Sequence, residues 1–195
     1  MLMAMQDRNG VFRALHRTWL QPDGSAKAPV TPSKMMAGPA WGAAVWLSPW
    51  YGTAAEHAYA GEGGETMLSV QMALCDGEER RELGFYAVGS LGNLAGAGSL
   101  AAGARAPFHP DRLDAKGNRL RLPTEVPEMS RPGFLPPPRT RRITLCEDND
   151  NKDQASAEAL YRRAANRWAM MGLKVDRAKP RGGEDFNSML AKLTD

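Results

Sequence analysis

A chain of 195 residues, 43% hydrophobic and 24% charged, has the length for one core plus an appendage, and its two distant cysteines, Cys75 and Cys146, exclude both a zinc ribbon and a disulfide framework. No apolar run approaches the ~20 residues of a membrane-spanning helix, and Met1-Leu2-Met3-Ala4-Met5 lacks the basic and apolar regions of a signal peptide, so the expected address is cytoplasmic, without a membrane partner. The net charge of +3 equals that of residues 1–55, where Arg8, Arg13, Arg17, Lys27 and Lys34 stand against Asp7 and Asp23, a balance that suits a polyanionic partner.

From Val11 to Leu20 the apolar and polar positions tend to alternate, and Gln21-Pro22-Asp23-Gly24 supplies turn chemistry, which predicts the start of a hairpin. Further short strands are expected within Lys34 to Leu47, interrupted at Gly38-Pro39 and Gly42, so that residues 1–55 form a small basic β-rich segment. Trp41, Trp46, Trp50 and Tyr51 could stack on bases, but their irregular spacing among alanines favours packing.

His57 to Gly61 reads as the first strand of an α/β part, and Glu65 to Cys75 as a helix with Met67, Val70, Gln71 and Leu74 on one face. Gly84 to Gly89 is a short continuous apolar run, as in a parallel strand covered on both sides. The glycine-rich stretch that follows, Gly89 to Gly98, has no Walker lysine and reads as a tight turn. Residues 95–140 hold eight of the fourteen prolines and few apolar runs, and read as an insertion without secondary structure of its own.

Arg142 to Cys146 is the third strand. Beyond it Ala157, Leu160, Tyr161, Ala164, Trp168 and Met171 recur at helical spacing, with Arg162, Arg163 and Arg167 assigned to the other side and Gly172 to the C-terminal cap. Leu173 to Ala178 is a fourth strand. Asp185 can cap a last helix, Phe186 to Leu193, that buries Phe186, Met189, Leu190 and Leu193.

Two acidic motifs follow predicted strands: Glu62-Gly63-Gly64-Glu65-Thr66 and Glu147-Asp148-Asn149-Asp150. Open α/β sheets place their chemistry at such strand ends. If the two strands are neighbours, Glu62, Asp148 and Asp150 converge, and carboxylates crowded together call for a divalent cation, with Mg2+ suited to a few carboxylates plus substrate phosphates. Phosphoryl or nucleotidyl transfer is the chemistry suggested.

The order strand-Glu-Gly-x-Glu-Thr-helix, strand ending at Gly89, strand-Asp-x-Asp-helix, then Gly183-Glu184-Asp185-Phe186-Asn187 before a short helix resembles the Toprim domain of bacterial-type primases, topoisomerases and some nucleases. The front segment, with Leu15-His16-Arg17-Thr18-Trp19-Leu20, Asp23-Gly24 and Lys27-Ala28-Pro29-Val30, is most similar to primase-like Toprim proteins of phages, plasmids and mobile elements. The resemblance implies a compact, mostly parallel α/β sheet over residues 56–195. It also implies metal ligands at Glu62, Asp148, Asp150 and Asp185, catalytic roles for Glu62, Asp148 and Asp150, and Mg2+ or Mn2+ as cofactor. Glu65 is assigned to the helix N-terminus, and Glu147 and Asp153 to the rim.

The function so implied is primase-like nucleotidyl transfer on single-stranded DNA from NTPs, with phosphates contacted by Arg13, Arg17, Lys27 and Lys34. A metal-dependent nuclease would use the same carboxylates, and a non-catalytic DNA-binding or helicase-associated subunit could retain the fold. A zinc-binding module and a Walker helicase loop are both missing from the sequence, so either a zinc module or a replicative helicase on another chain is a partner, or this chain is a reduced form. Topoisomerase action would need a strand-passing domain for which the length leaves no room.

Overall fold

A computed structural model describes residues 1–24, 26–48, 55–75, 80–101, 106–149, 151–181 and 185–194. The front segment contributes β1 (Leu2–Gln6), β2 (Phe12–Thr18), β3 (Lys34–Ala37) and β4 (Ala44–Trp46). The α/β part follows as β5 (His57–Gly61), α1 (Gly64–Cys75), β6 (Leu83–Ala87) and α2 (Leu91–Ala95). Next come β7 (Phe108–Leu113), β8 (Arg119–Arg121), β9 (Arg142–Cys146), α3 (Gln154–Met170), β10 (Lys174–Ala178) and α4 (Phe186–Thr194). None of the described helices is long and apolar enough to cross a membrane.

Eight of these strands form one mixed sheet in the order β10-β9-β5-β6-β4-β1-β2-β3. The run β10-β9-β5-β6 is parallel, while β4 pairs antiparallel with β6 and with β1, so the basic front segment extends the same sheet. Successive side chains of a strand point to opposite faces, and this alternation sorts the core in two. Ala58, Ala60, Tyr86, Ile143 and Leu145 face α2 and α3, packing on Leu94, Tyr161 and Trp168. Met5, Ala14, Val45, Phe85 and Cys146 face the other way, onto Met67 and Val70 of α1. All five residues of β6 are buried, as expected of a strand covered on both faces.

Asn93 binds the front segment to the α/β part. Its Nδ2 donates to the carbonyls of Ala40, Ala43 and Val88, and its Oδ1 accepts from the Gly42 N–H at 2.7 Å. Sequence patterning gives no hint of this residue, because α2 is a five-residue helix inside the glycine-rich stretch read as a turn. Ser90 caps it, its hydroxyl accepting from the Asn93 N–H at 3.1 Å.

The insertion is more ordered than its prolines suggest. It contains the β7–β8 hairpin, and Phe134 is buried against Tyr86 and Trp168, whose Nε1 donates to the Phe134 carbonyl at 3.0 Å. The placement of Arg163 and Arg167 on the solvent side of α3 is corrected: they are 7% and 2% exposed. Four residues apart, they form a row beside the apolar stripe. Arg163 donates to the carbonyls of Thr124 and Gly96, and Arg167 to those of Glu128 and Arg131. Two guanidinium groups thereby satisfy backbone acceptors of a segment that has little sheet or helix to satisfy them. Burial lowers the pKa of both, which stay charged because guanidinium starts so high.

Trp46 packs edge-on against Tyr86 at 5.6 Å and is buried, whereas Trp41 is 60% exposed. Trp50 and Tyr51, and the side chain of Leu193, lie outside the described residues.

Replacing Arg167 by Ala removes two charge-assisted hydrogen bonds of about 1.5–3 kcal/mol each and strands their carbonyls. The expected result is a loss of about 3 kcal/mol in denaturant unfolding, with proteolytic cleavage appearing first between residues 119 and 133. Unchanged stability and an unchanged cleavage pattern would show that the insertion does not depend on α3.

Candidate functional site

The parallel strands change direction of winding between β5 and β9: β5 leads through α1 to β6 on one side, and β9 leads through α3 to β10 on the other. With α1 and α3 on opposite faces, this is a topological switch point, and a crevice opens at the carboxyl ends of the two strands. In-register pairing of Gly61 with Cys146 puts Glu62 and the Glu147-Asp148 pair at that crevice. Gly61 permits the close approach. A Cβ there would lie 2.7 Å from Met67 Sδ and 3.1 Å from the Cys146 carbonyl.

The Glu62 backbone is fixed by its carbonyl, which accepts from the Gly89 N–H at 2.9 Å. Asp148 is held more tightly. Its Oδ1 accepts from Thr66 Oγ1 at 3.0 Å, its N–H donates to the Tyr161 hydroxyl at 2.9 Å, and its carbonyl accepts from Asn151 Nδ2 at 3.2 Å. Burial drives the Tyr161 phenol well above the ordinary tyrosine range, so it remains a neutral acceptor for that N–H.

A cleft of about 450 Å³ gathers Glu62, Glu65, Asp148 and Asp185 with Lys27, Lys34 and Lys152, so that among the described residues four carboxylates stand against three ammonium groups, for a net −1. Thr66, Asn151 and Asn187 complete the polar lining. Lys27 and Lys34 approach Glu65 at 3.8 and 3.7 Å. Burial would raise the Glu65 pKa, but its backbone hydrogen bond and the two lysines outweigh this and leave it lowered. These ion pairs are about half exposed, each worth at most about 1 kcal/mol. Exchanging Glu65 for a phosphate on the same lysines is therefore a small energetic change.

Glu62 and Asp148 both line the cleft, and two carboxylates match the one or two that Mg2+ ordinarily takes from a protein. Asp185 lines the cleft, but its Oδ1 caps α4 by accepting from the Ser188 N–H and hydroxyl, both at 2.6 Å, and these bonds lower its pKa. Asp150 lies outside the described residues. Among the described residues no three His, Cys, Asp or Glu side chains form a metal cage. The donor set thus fits a hard cation that keeps water or substrate oxygens in its coordination sphere.

The four basic residues expected to work together are divided. Lys27 and Lys34 line the cleft, whereas Arg13 and Arg17 alternate with the buried Ala14, His16 and Thr18 and lie on the opposite face of β2. The Arg17 guanidinium sits 4.7 Å over the Trp19 ring. The inward face of the same strand also carries His16. It is 5% exposed, its Nδ1 has no hydrogen-bond partner among the described residues, and it lines a recess of about 80 Å³ that shares Lys34, Glu62 and Gly63 with the cleft. Burial and then Lys34 push its pKa down, against a smaller opposing effect of Glu65. A strand that alternates buried and exposed side chains carries the available signal, since it points His16 inward with Ala14.

Glu147 and Asp153 do not sit free on the rim. Glu147 alternates with Asp148, is 2% exposed, and pairs with Arg177, which also bonds Glu158 at 2.7 and 3.0 Å. These bonds hold Glu158 down at about 2. Asp153 caps α3, accepting from the Ser156 N–H at 3.0 Å, and binds His109 and Arg112 of the insertion.

The profile of a domain of unknown function (DUF7146) matches residues 1–47, the stretch that contains β1 to β4 together with Lys27 and Lys34. No curated protein and no solved structure matches the chain.

His16 and His57 both have folded pKa values below 6.5, burial being the main cause in each, followed by Lys34 for His16 and Arg142 for His57. The unfolded chain therefore binds more protons as pH falls through about 6.5, and stability falls with it. The lowered carboxylates Glu65 and Asp185 lose their stabilising effect only in a more acidic window, near and below the ordinary carboxylate range. Thermal melts should show a decreasing Tm from about pH 7 to 5. The double substitution His16→Asn, His57→Asn should flatten that slope, and a slope unchanged in the double variant would contradict the assignment.

Proposed function

We propose that this chain is a Toprim-type enzyme performing primase-like nucleotidyl transfer on single-stranded DNA, with NTPs as substrates and Mg2+ or Mn2+ as cofactor. The observation that supports this reading is the meeting of Glu62 and Asp148 at the switch point, in a cleft whose ammonium groups, Lys27 and Lys34, come from the front segment. Strand-end carboxylates suit a cation, and lysines on the same cleft suit a triphosphate.

In this reading Glu62 and Asp148 hold the cation, with Asp185 and Asp150 as the remaining acidic positions implied by the Toprim resemblance. Bound there, a divalent ion supplies Lewis-acid stabilisation of charge on the phosphate oxygens. Lys27 and Lys34 bind and orient the triphosphate, releasing Glu65 as they do so. Thr66 and Tyr161 keep the Asp148 carboxylate and its loop aimed at the cleft through the bonds at 3.0 and 2.9 Å. The alternative role for Glu62 in this reading is that of general base, accepting the proton of an attacking primer hydroxyl in place of binding the cation.

Incubation with single-stranded DNA, labelled NTPs and Mg2+ or Mn2+ should yield labelled oligomers. Asp148→Asn and Glu62→Gln should each lower that yield about a hundredfold or more with the fold retained by circular dichroism, as removal of a transition-state charge stabiliser does. Shortened DNA in place of extended product would replace the proposal with a nuclease. Absence of any reaction would leave a non-catalytic DNA-binding subunit.

A further inference from the structure

The β7–β8 hairpin makes little use of the core. Of its residues 108–121 only His109 is buried, while Phe108 is 48% and Leu113 60% exposed. A two-stranded hairpin open on both faces is marginal by itself, so its ordering depends on its base and its tip. At the base His109 Nδ1 accepts from the Asp111 N–H, which leaves Nε2 as donor to Asp153 at 2.9 Å, and Arg112 binds the same carboxylate at 2.7 Å. At the tip Asp114 accepts from the N–H groups of Lys116 and Asn118, with Gly117 at φ +83°.

The exposed surface of this hairpin carries Arg112, Lys116, Arg119 and Arg121 against Asp111 and Asp114. Arg112 is spent on Asp153, and Asp114 on the turn. Lys116, Arg119 and Arg121 form no ion pair with a carboxylate among the described residues. Arg121 and Arg119 lie 4.2 and 5.8 Å from the centroid of the half-exposed Phe108 ring, and Arg121 also donates to the Ala106 carbonyl at 2.7 Å, which leaves the rest of its guanidinium for a phosphate. Cations grouped around a half-exposed aromatic ring are the chemistry of a single-stranded nucleic-acid platform, in which the guanidinium groups turn to phosphates as a base stacks on the ring. Position agrees with composition. Asp153, the anchor of the hairpin, directly follows Lys152, which lines the cleft.

We propose that the β7–β8 hairpin is a strand-guiding arm that binds single-stranded DNA through Lys116, Arg119, Arg121 and Phe108 and leads it along the rim of the Glu62–Asp148 cleft. The arm rests on the nucleic-acid reading of that cleft, and it gives the insertion a task distinct from the chemistry.

Binding of a labelled oligothymidylate, followed by fluorescence anisotropy without metal or nucleotide over a range of salt, tests the arm. The variant K116Q/R119Q/R121Q should lower the log-log salt slope by about 2 and weaken binding roughly a hundredfold near 0.1 M salt, as three lost single-strand phosphate contacts would. K116E alone, at the exposed tip, should weaken binding about fivefold or more by the same rule. F108A should weaken oligothymidylate binding about tenfold and leave an abasic strand of equal length unaffected. Unchanged affinity and slope in the folded triple variant would overturn the arm and leave the cleft reading standing. A protein that binds the strand in this way but forms no phosphodiester bond would overturn the nucleotidyl-transfer reading and leave the arm standing. Equal loss of the abasic strand in F108A would overturn the stacking role.

Discussion

The parallel pairing of β5 with β9 is the constraint on which the site depends. It sets Gly61 beside Cys146, and Glu62, Glu147 and Asp148 take their positions from that register. A shift by one residue would turn Asp148 inward and Glu147 to the cleft, because side chains alternate along a strand. Two features oppose such a shift. Gly61 admits no side chain between Met67 and Cys146, and Glu147 is drawn to Arg177 on β10. Glu147 is buried although Arg177 reaches solvent, and leaving a buried carboxylate without its charged partner is unfavourable, so the pair that holds Glu147 in also holds Asp148 out.

α3 connects this core to the rest of the chain through three different kinds of contact. Its apolar stripe of Ala157, Tyr161, Ala164 and Trp168 packs on the sheet, and the Tyr161 hydroxyl reaches the loop carrying Asp148. Arg163 and Arg167 bind carbonyls of the insertion, and its capping residue Asp153 binds the β7–β8 hairpin. The loop that presents the carboxylate and the hairpin beside it are thus tied to one helix. On the other side of the cleft, Asn93 ties residues 40–43 to the end of β6, and the front segment brings Lys27 and Lys34 to the carboxylates.

Much of the α/β part is legible in the sequence. β5 and β9 have the bounds that their apolar runs give, and α1, α3 and α4 follow their helical periodicity. What escapes notice has physical reasons. β1 is a Leu-Met-Ala-Met-Gln run without β-branched residues, and it is a strand because β2 and β4 flank it. The β7–β8 hairpin is exposed on both faces, so no alternation marks it. Arg163 and Arg167 read as solvated because periodicity sees residue type and not the carbonyls waiting opposite. The same limit applies to the site. Glu62, Asp148, Asp185, Lys27 and Lys34 are motif residues and meet at one cleft, whereas Arg13 and Arg17 belong to the same segment but to the opposite face of β2.

Among the described residues the cleft holds one more carboxylate than ammonium group, while Lys27 and Lys34 are only loosely paired with Glu65. Such a balance favours a cation and a polyanion together over either alone, since each offsets the charge that the other meets. Electron paramagnetic resonance of Mn2+ titrated into the protein, with and without a nucleoside triphosphate, measures this directly. Wild-type protein should bind Mn2+ and bind it more tightly when the triphosphate is present, with both effects lost in Asp148→Asn and in Glu62→Gln. Mn2+ binding that persists in both variants, or that the triphosphate leaves unchanged, would contradict the account.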